Sequence, residues 1–378
     1  MAEALPLEGI TVVEFGGSIA GPFGGWVLAE LGAEVFKIER VEGDDSRGWG
    51  PPFYQGGSSM FHALNRNKRS VVADLTDPEA VDKLKRFIVD KADVVLQNLR
   101  AGALVRFGLG AETLLKENPR LIYCNLNAYG SRGPLADKPG YDLLMQGLAG
   151  MMSVTGEPDG APVRAGVSVV DEAGGFWCVV GILSALHRRQ ATGKGGVIDA
   201  SLFETALCWM AFHTIDYQLS GRVPQRAGSG MRGLTPYQAY ACADGHLIVA
   251  APNDRLFARL VEVLGHPEWA RDPRFVSSAD RAENRVLLNR MLAEALSRQP
   301  RGYWQERLDA VGIPAAPIQT VDEVLAHPQT EAVELLQPTA DGVVKLTGLP
   351  LRFDGDRPPL RWTAPDLGRD TDKVFGRG

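Results

Sequence analysis

The sequence predicts an α/β protein, a doubly wound parallel sheet with a second, smaller α+β domain. Three observations carry that expectation. Over roughly the first 200 residues, short apolar runs alternate with longer segments of helical periodicity, the pattern of a parallel sheet built from βαβ units. A glycine-, arginine- and proline-rich stretch, S-G-R-V-P-Q-R-A-G-S-G-M-R-G at 220–233, then breaks the pattern and reads as a linker or mobile loop. Beyond it a pair of strands and a run of helices make a different architecture.

The elements follow in order. G-I-T-V-V-E-F (9–15) is a strand, A-G-P-F-G-G-W-V-L-A-E-L-G opens a helix behind a glycine-rich turn, and A-E-V-F-K-I-E ending at Glu39 is the second strand. Further strands lie at S-V-V-A-D-L (70–75), A-D-V-V-L-Q-N (92–98) and R-L-I-Y-C-N-L (120–126), with a helix over Pro78–Lys91 between the first two. A long apolar helix starts at about Glu172, where Phe176, Val179, Val180, Leu183 and Leu186 recur at three- and four-residue spacing. After Thr192 come a turn, a short strand and another long apolar helix. Y-Q-A-Y-A-C-A-D-G-H-L-I-V-A-A (237–251) is a hairpin around Asp-Gly, followed by mostly helical chain to about 325. The proline-rich tail lacks a core of its own and must pack on something larger. The expected organisation is a large domain at 1–218, a small α+β domain at 223–328, and a segment at 330–378 that returns to the large domain.

Composition narrows the function. At 378 residues and 45% hydrophobic the chain can bury a large core, and a net charge of -6 argues against general nucleic-acid binding while leaving room for a local anion pocket. Cys124, Cys178, Cys208 and Cys242 lack metal-ligand or disulfide-framework spacing and read as buried thiols of a reducing compartment. The six histidines contain no H-x-x-x-H or H-E-x-x-H, so no metal is expected. The N-terminal stretch M-A-E-A-L-P-L-E-G has no leader pattern, no window reaches 18 uninterrupted apolar residues, and the cytoplasm is the expected location, without a membrane partner.

Two features invite chemistry. Glu39, ending the second strand, stands where a dinucleotide-binding sheet places its ribose acid, but Gly16, Gly17, Gly21, Gly24 and Gly25 form no G-x-G-x-x-G, so a nicotinamide-dependent oxidoreductase is a distant alternative. Asp171 is an acid at the head of a long apolar helix. Asp is a favoured N-cap residue, and capping alone accounts for it on local grounds. A buried carboxylate without partners nevertheless costs several kcal/mol, so such a place more usually holds Ser or Thr.

Taken together the segments resemble the family III CoA-transferases, the group that includes formyl-CoA transferase and carnitine CoA-transferase, with α-methylacyl-CoA racemase as a relative. The resemblance rests on L-E-G-I-T-V-V-E-F with A-G-P (20–22), G-A-E-V-F-K-I-E-R (32–40), G-D-D-S-R-G-W-G-P-P-F (43–53), N-R-N-K-R-S (65–70), D-V-V-L-Q-N (93–98), G-Y-D (140–142), Asp171, T-G-K-G (192–195) and D-L-G-R-D-T-D (366–372). It implies a Rossmann-like CoA-binding domain and an interlocked, ring-like homodimer. It also implies CoA transfer between an acyl-CoA donor and a small carboxylic acid, with CoA as a substrate and no tightly bound cofactor. Asp171 takes the position of the family's nucleophile, which forms aspartyl anhydride and aspartyl-CoA thioester intermediates.

The resemblance also assigns CoA contacts to Ser18, Ala20, Arg40, Ala73, Thr76, Asn98, Leu99, Arg106, Tyr141 and Asp142. Gly228, Ser229 and Gly230 fall where the family has a glycine loop over the reactive centre, although a plain interdomain linker fits the same residues. Ile19 and Leu99 depart from the formyl-CoA transferase pattern, so formyl specificity is not implied. An acyl-CoA racemase is the alternative of the same fold. Racemisation needs two acid/base groups, and the relatives that perform it have histidine where this chain has Tyr141, whose phenol is a poor base at neutral pH.

Overall fold

The computed structural model describes residues 4–231 and 233–376. Arg232 of the glycine-rich stretch and the first three residues of the N-terminal stretch lie outside the described residues. The chain divides into two compact units, one formed by residues 4–151, 164–218 and 329–376, the other by 152–163 and 219–328.

In the first unit six strands, β1 (Thr11–Phe15), β2 (Glu34–Glu39), β3 (Arg69–Val72), β4 (Val94–Gln97), β5 (Ile122–Asn127) and β6 (Gly196–Ser201), form one sheet in the order β3-β2-β1-β4-β5-β6. Every pairing is parallel. Parallel strands need crossovers, and the helices α1 (Ala20–Glu30), α2 (Ser59–Asn65), α3 (Pro78–Lys91), α4 (Ala111–Glu117), α5 (Asp142–Leu148) and α6 (Val169–Thr192) lie among them in the chain, with α7 (Leu202–Trp209) following β6. Burial on both faces makes the inner strands largely apolar, as in Val94–Gln97, where all four residues are buried and three are apolar. The strand order reverses between β1 and β4, so the loops leaving these strands part and open a crevice at their carboxyl ends.

α1 and α6 pack closely because glycines meet at their contact. A Cβ on Gly175 would sit 2.4 Å from the Ala20 carbonyl oxygen and 2.9 Å from the Gly24 nitrogen, while one on Gly174 would fall 2.9 Å from Leu202. The Gly-Gly step therefore serves helix packing within this unit. By length and composition α6 could cross a membrane, yet Gly174, Gly175, Cys178, Val179, Ile182 and Ala185 are buried along one side as it packs here.

The motif N-R-N-K-R-S proves to be buried polar structure. Arg66 is fully buried and forks onto both oxygens of buried Glu30 at 2.9 and 3.1 Å, while also donating to the Leu346 and Thr347 carbonyls. Lys68 pairs with Glu14 at 2.8 Å, and Asn67 holds the tail through the nitrogens of Arg361 and Trp362. The tail then runs along the outer edge of β3, where Asp370 pairs with Arg69 and the Thr371 hydroxyl accepts the Val72 N–H. An otherwise open edge strand is thereby covered.

The second unit contains an antiparallel sheet of β7 (Tyr237–Cys242), β8 (Gly245–Ala250) and β9 (Ala315–Pro317), in the order β9-β8-β7. Helices Asp254–Val263, Ser278–Glu283, Arg285–Leu296 and Arg301–Ala310 belong to the same unit, and its core includes Tyr240, Phe257, Phe275, Leu288, Leu292 and Trp304. The hairpin was legible in the sequence. β9 was not, because three residues reading A-A-P carry neither alternation nor β-branching.

Two other expectations change. The long apolar helix after β6 is broken at Met210 into α7 and a second helix, Ala211–Ser220. Only Cys124 and Cys178 are buried, whereas Cys208 is exposed on an uncovered helix face and Cys242, at the end of the edge strand β7, is intermediate.

Replacing Arg66 with Met should cost about 3–5 kcal/mol in urea unfolding, because Glu30 would remain buried without its cation. The double variant Arg66→Met, Glu30→Leu should recover most of that loss. A single-variant cost within about 0.5 kcal/mol of zero would contradict the assignment.

Candidate active site

The loop after β1 is held from two sides. The Gly17 N–H donates to Asn98 Oδ1 and its carbonyl accepts from Asn98 Nδ2, both at 2.9 Å, so the residue just after β4 clamps the loop leaving β1 across the crevice. Beneath it, buried Lys37 donates to the Gly16 carbonyl at 2.6 Å and pairs with Asp44 at 2.8 Å. Asp44 in turn accepts the Ser18 N–H at 3.3 Å, and Ser18 adopts φ 64°, a left-handed conformation uncommon for a residue with a side chain.

Two adjoining cavities open on this loop. The first, about 610 Å³, is lined by Ser18, Arg40, Ala73, Thr76, Leu99 and Arg106 among others. The second, about 470 Å³, takes in Ser18, Ala20, Arg40, Asn98, Leu99, Tyr141 and Asp171. Gly17, Ser18, Arg40, Asp45 and Leu99 line both, so the two form one cleft along the carboxyl ends of the strands. Arg40 is more than half exposed and bonded to Asp45 and to the Gly43 carbonyl, and the Arg106 guanidinium lies 4.6 Å over the Phe107 ring. Tyr141 is 64% exposed.

Asp171 lines the second cavity and is 8% exposed. Its helix starts at Val169, with Ser168 at the N-cap, three residues before the expected start. Asp171 is thus inside the first turn and is not the cap. The cap comes from Asp142, whose Oδ1 accepts the N–H groups of Val170 at 2.8 Å and Asp171 at 3.4 Å. The Asp142 carboxylate is buried against α6 and is not among the residues lining the cleft, which separates it from the other expected CoA contacts.

Among the described residues, nothing donates a hydrogen bond to the Asp171 carboxylate. Burial first, then the charges of Asp142 and Glu172, push its pKa from an ordinary 3.8 up to about 7, with Arg164 opposing. Glu39 contrasts with it. Arg47 forks onto Glu39 at 2.7 and 2.7 Å and Ser70 donates at 2.6 Å, leaving it unavailable to a ribose.

Sequence reasoning overlooked a ladder of side chains across the sheet ends. Gln97 accepts the Leu99 N–H at 2.9 Å and donates to Asn125 at 2.6 Å, and Asn125 donates to Asp199 at 2.8 Å, fixing the loop after β4. The available signal was a polar residue near the carboxyl end of each of three otherwise apolar strands. In the second unit Gly228 has φ 62° and donates to the Gly156 carbonyl, the Ser229 hydroxyl accepts the Ala239 N–H, and Gly230 donates to Ala227, so the segment is a pinned turn there. No cluster of His, Cys, Asp or Glu able to hold a metal occurs among the described residues.

The profile of the CoA-transferase family III matches residues 7–371. The chain belongs to this family. It is 37% identical to the succinate–glutarate CoA-transferase of Agrobacterium fabrum over 98% of this chain and 95% of that protein. It is 38% identical to the acetyl-CoA:oxalate CoA-transferase of Acetobacter aceti over 96% and 93%. A solved CaiB/BaiF family protein from Brucella suis superposes with a TM-score of 0.89 at 38% identity, covering 99% of both chains. This family III CoA-transferase is therefore an enzyme with an acyl-CoA substrate.

The raised pKa of Asp171 has a consequence for stability. A folded pKa above the unfolded one favours the folded state below about pH 4, and that advantage is lost as pH rises to about 7 and beyond. The shift is about three pH units, and at about 1.36 kcal/mol per unit it amounts to about 4 kcal/mol at most. Asp171→Asn should therefore gain in melting temperature over the parent as pH climbs through that window. Parallel pH–melting curves for the two proteins would show that Asp171 ionises normally.

Proposed function

We propose that this enzyme moves CoA from an acyl-CoA donor to a small carboxylic acid, with Asp171 as the nucleophile. The observation that carries this reading is a buried carboxylate opening on the cleft without a cation partner, whereas nearby Glu39 and Asp44 are paired with Arg47 and Lys37. A carboxylate oxygen of Asp171 attacks the thioester carbonyl, the C–S bond breaks, and a mixed anhydride and CoA thiolate result. Thiolate attacks the aspartyl carbonyl and releases the donor acid, leaving an aspartyl-CoA thioester. The acceptor carboxylate attacks that thioester and expels thiolate, which then attacks the acceptor's acyl carbon and frees Asp171. The elevated pKa makes Asp171 a stronger nucleophile than an ordinary carboxylate while leaving an ionised fraction at neutral pH.

Ser18, Ala20, Arg40, Ala73, Thr76, Asn98, Leu99, Arg106 and Tyr141 would receive CoA along the cleft, the arginines facing its phosphates. The relatives named as succinate–glutarate and acetyl-CoA:oxalate CoA-transferases support a dicarboxylic acid as one partner in the CoA transfer and the CoA thioester of succinate as the first donor to test. Gly228, Ser229 and Gly230 are proposed as the loop that shields the anhydride from water. A homodimer is supported by the exposed apolar side chains Phe176, Trp177, Val180 and Leu183 on α6, and by Leu207, Trp209, Phe212 and Ile215 beyond it. Four free cysteines accord with a cytoplasmic location.

With succinyl-CoA and a panel of acids, new CoA thioesters should form, hydroxylamine should modify Asp171, and Asp171→Ala should abolish exchange. An Asp171→Ala variant within tenfold of the parent rate would remove the nucleophile. Arg40→Ala and Arg106→Ala should each raise KM for acyl-CoA roughly tenfold, the worth of one charge-assisted hydrogen bond. Unchanged KM in both would displace CoA from this cleft. No histidine lines either cavity, so the α-proton of a 2-methylacyl-CoA should not exchange in deuterated water; rapid exchange without an acceptor acid would favour racemase chemistry.

A further inference from the structure

The loop at 164–168 and the first turn of α6 are held by a side-chain pair on α5. Asp142 Oδ1 accepts the Val170 and Asp171 N–H groups, and its Oδ2 accepts from Gln146 Nε2 at 2.6 Å. Gln146 uses its own Oε1 to accept the Ala165 N–H at 2.9 Å. The pair thus grips the chain on both sides of the helix start. Ser168, at the N-cap, offers no side-chain hydrogen bond, so the exposed end of the helix depends on this external cap. The Asp142 carboxylate is 7% exposed and its nearest cation, Arg164, is 4.0 Å away and itself 43% exposed, so its charge is little screened on the side facing Asp171.

We infer that Asp142 is the positioning residue of this transferase: its carboxylate fixes the turn that aims Asp171 into the cleft, and its negative charge sets the pH at which Asp171 becomes a nucleophile. The inference rests on the proposed role of Asp171. It differs from a CoA contact, because Asp142 acts through the backbone and the field of its neighbour rather than on the substrate.

Other groups bearing on Asp171 define the alternatives. Glu172 adds a like charge from the same helix and Arg164 an opposite one from the preceding loop. The rest of the cavity wall contributes Arg40, Asp45, Arg100, Asp137, Lys138 and Tyr141. From α7, Glu204 is bonded to the Ser201 hydroxyl, and from β6 Asp199 to Asn125. The half of α1 nearest the cleft, A-G-P-F-G-G-W-V, has no charged residue. Asp142 is the acid that contacts the Asp171 backbone directly, and Asp142→Asn removes its charge while retaining an oxygen to accept the same N–H groups.

The test follows the Asp171 carboxyl itself. Infrared difference titration of the parent against Asp171→Asn reads the midpoint of Asp171 without catalysis, and single-turnover formation of the aspartyl-CoA thioester from succinyl-CoA reads the pH at which it reacts. Asp142→Asn should move both midpoints down by about one pH unit, with KM for acyl-CoA within twofold of the parent, and Asp142→Glu should restore the parent midpoint. Should Asp142→Asn fail to fold, Asp142→Ser retains a short oxygen for the α6 N–H groups and should give the same downward shift. A purely structural Asp142 would lower the melting temperature and leave the infrared midpoint in place, and that result overturns the inference. If the parent forms no thioester on Asp171, the nucleophile assignment fails, while the infrared titration still decides whether Asp142 governs the ionisation of its neighbour.

Discussion

Lys37 is fully buried in the second strand of the sheet, and the site depends on its remaining a cation there. Burial pushes its ammonium down, but Glu14 and Asp44, with Glu39 behind them, outweigh that and hold its pKa above the ordinary lysine value. The same ammonium holds the Gly16 carbonyl, and Asp44 holds the Ser18 N–H, so one buried charge joins β1, β2 and the first loop of the cleft. Glu14 shares its other oxygen with Lys68, whose pKa falls to about 8 because burial weighs more there than its partner does. Gly25 is obliged to be small beside this cluster, since a Cβ there would meet Glu14 Oε2 at 1.8 Å.

Against that background the treatment of acids in the first unit is selective. Glu14, Glu30, Glu39 and Asp44 are buried and each faces a lysine or arginine, which offsets the cost of desolvation. Asp171 is buried with two acids near it and only the weaker influence of Arg164 in its favour. The fold thus pairs Glu14, Glu30, Glu39 and Asp44 with cations and leaves Asp171, beside the equally buried Asp142, without one, the kind of environment in which a carboxyl pKa rises. The helix packing that holds it is correspondingly tight, with Gly175 pressed against the first turn of α1.

Asp142 shows how much of a side chain's placement a motif leaves open. In G-Y-D it is adjacent to Tyr141, which lines the cleft, and the two were expected to act together on CoA. The start of α5 turns them apart: Tyr141 is exposed to the cavity, while Asp142 is buried and accepts the N–H of Val170, 28 residues later in the chain, in the first turn of α6. Local pattern could not distinguish these outcomes, because the hydrogen-bond partner of a cap is ordinarily two or three residues away and here comes from another element.

The sequence by itself determined the parallel α/β sheet, the family, the second unit's hairpin and most of the cleft. Alternating strands and helices admit few topologies, and open sheets bind ligands where their strand order reverses. Ser18, Arg40, Ala73, Thr76, Asn98 and Leu99 were named through the family resemblance, and all six line the cleft. Tertiary structure alone decided which acids are paired, which is left unpaired, and where α6 starts. Those outcomes depend on contacts between residues tens to hundreds of positions apart, Lys37 with Glu14, Arg66 with the tail, and Asp142 with the turn that carries Asp171. Charge pairing and desolvation act through distance in space, which periodicity along the chain does not encode.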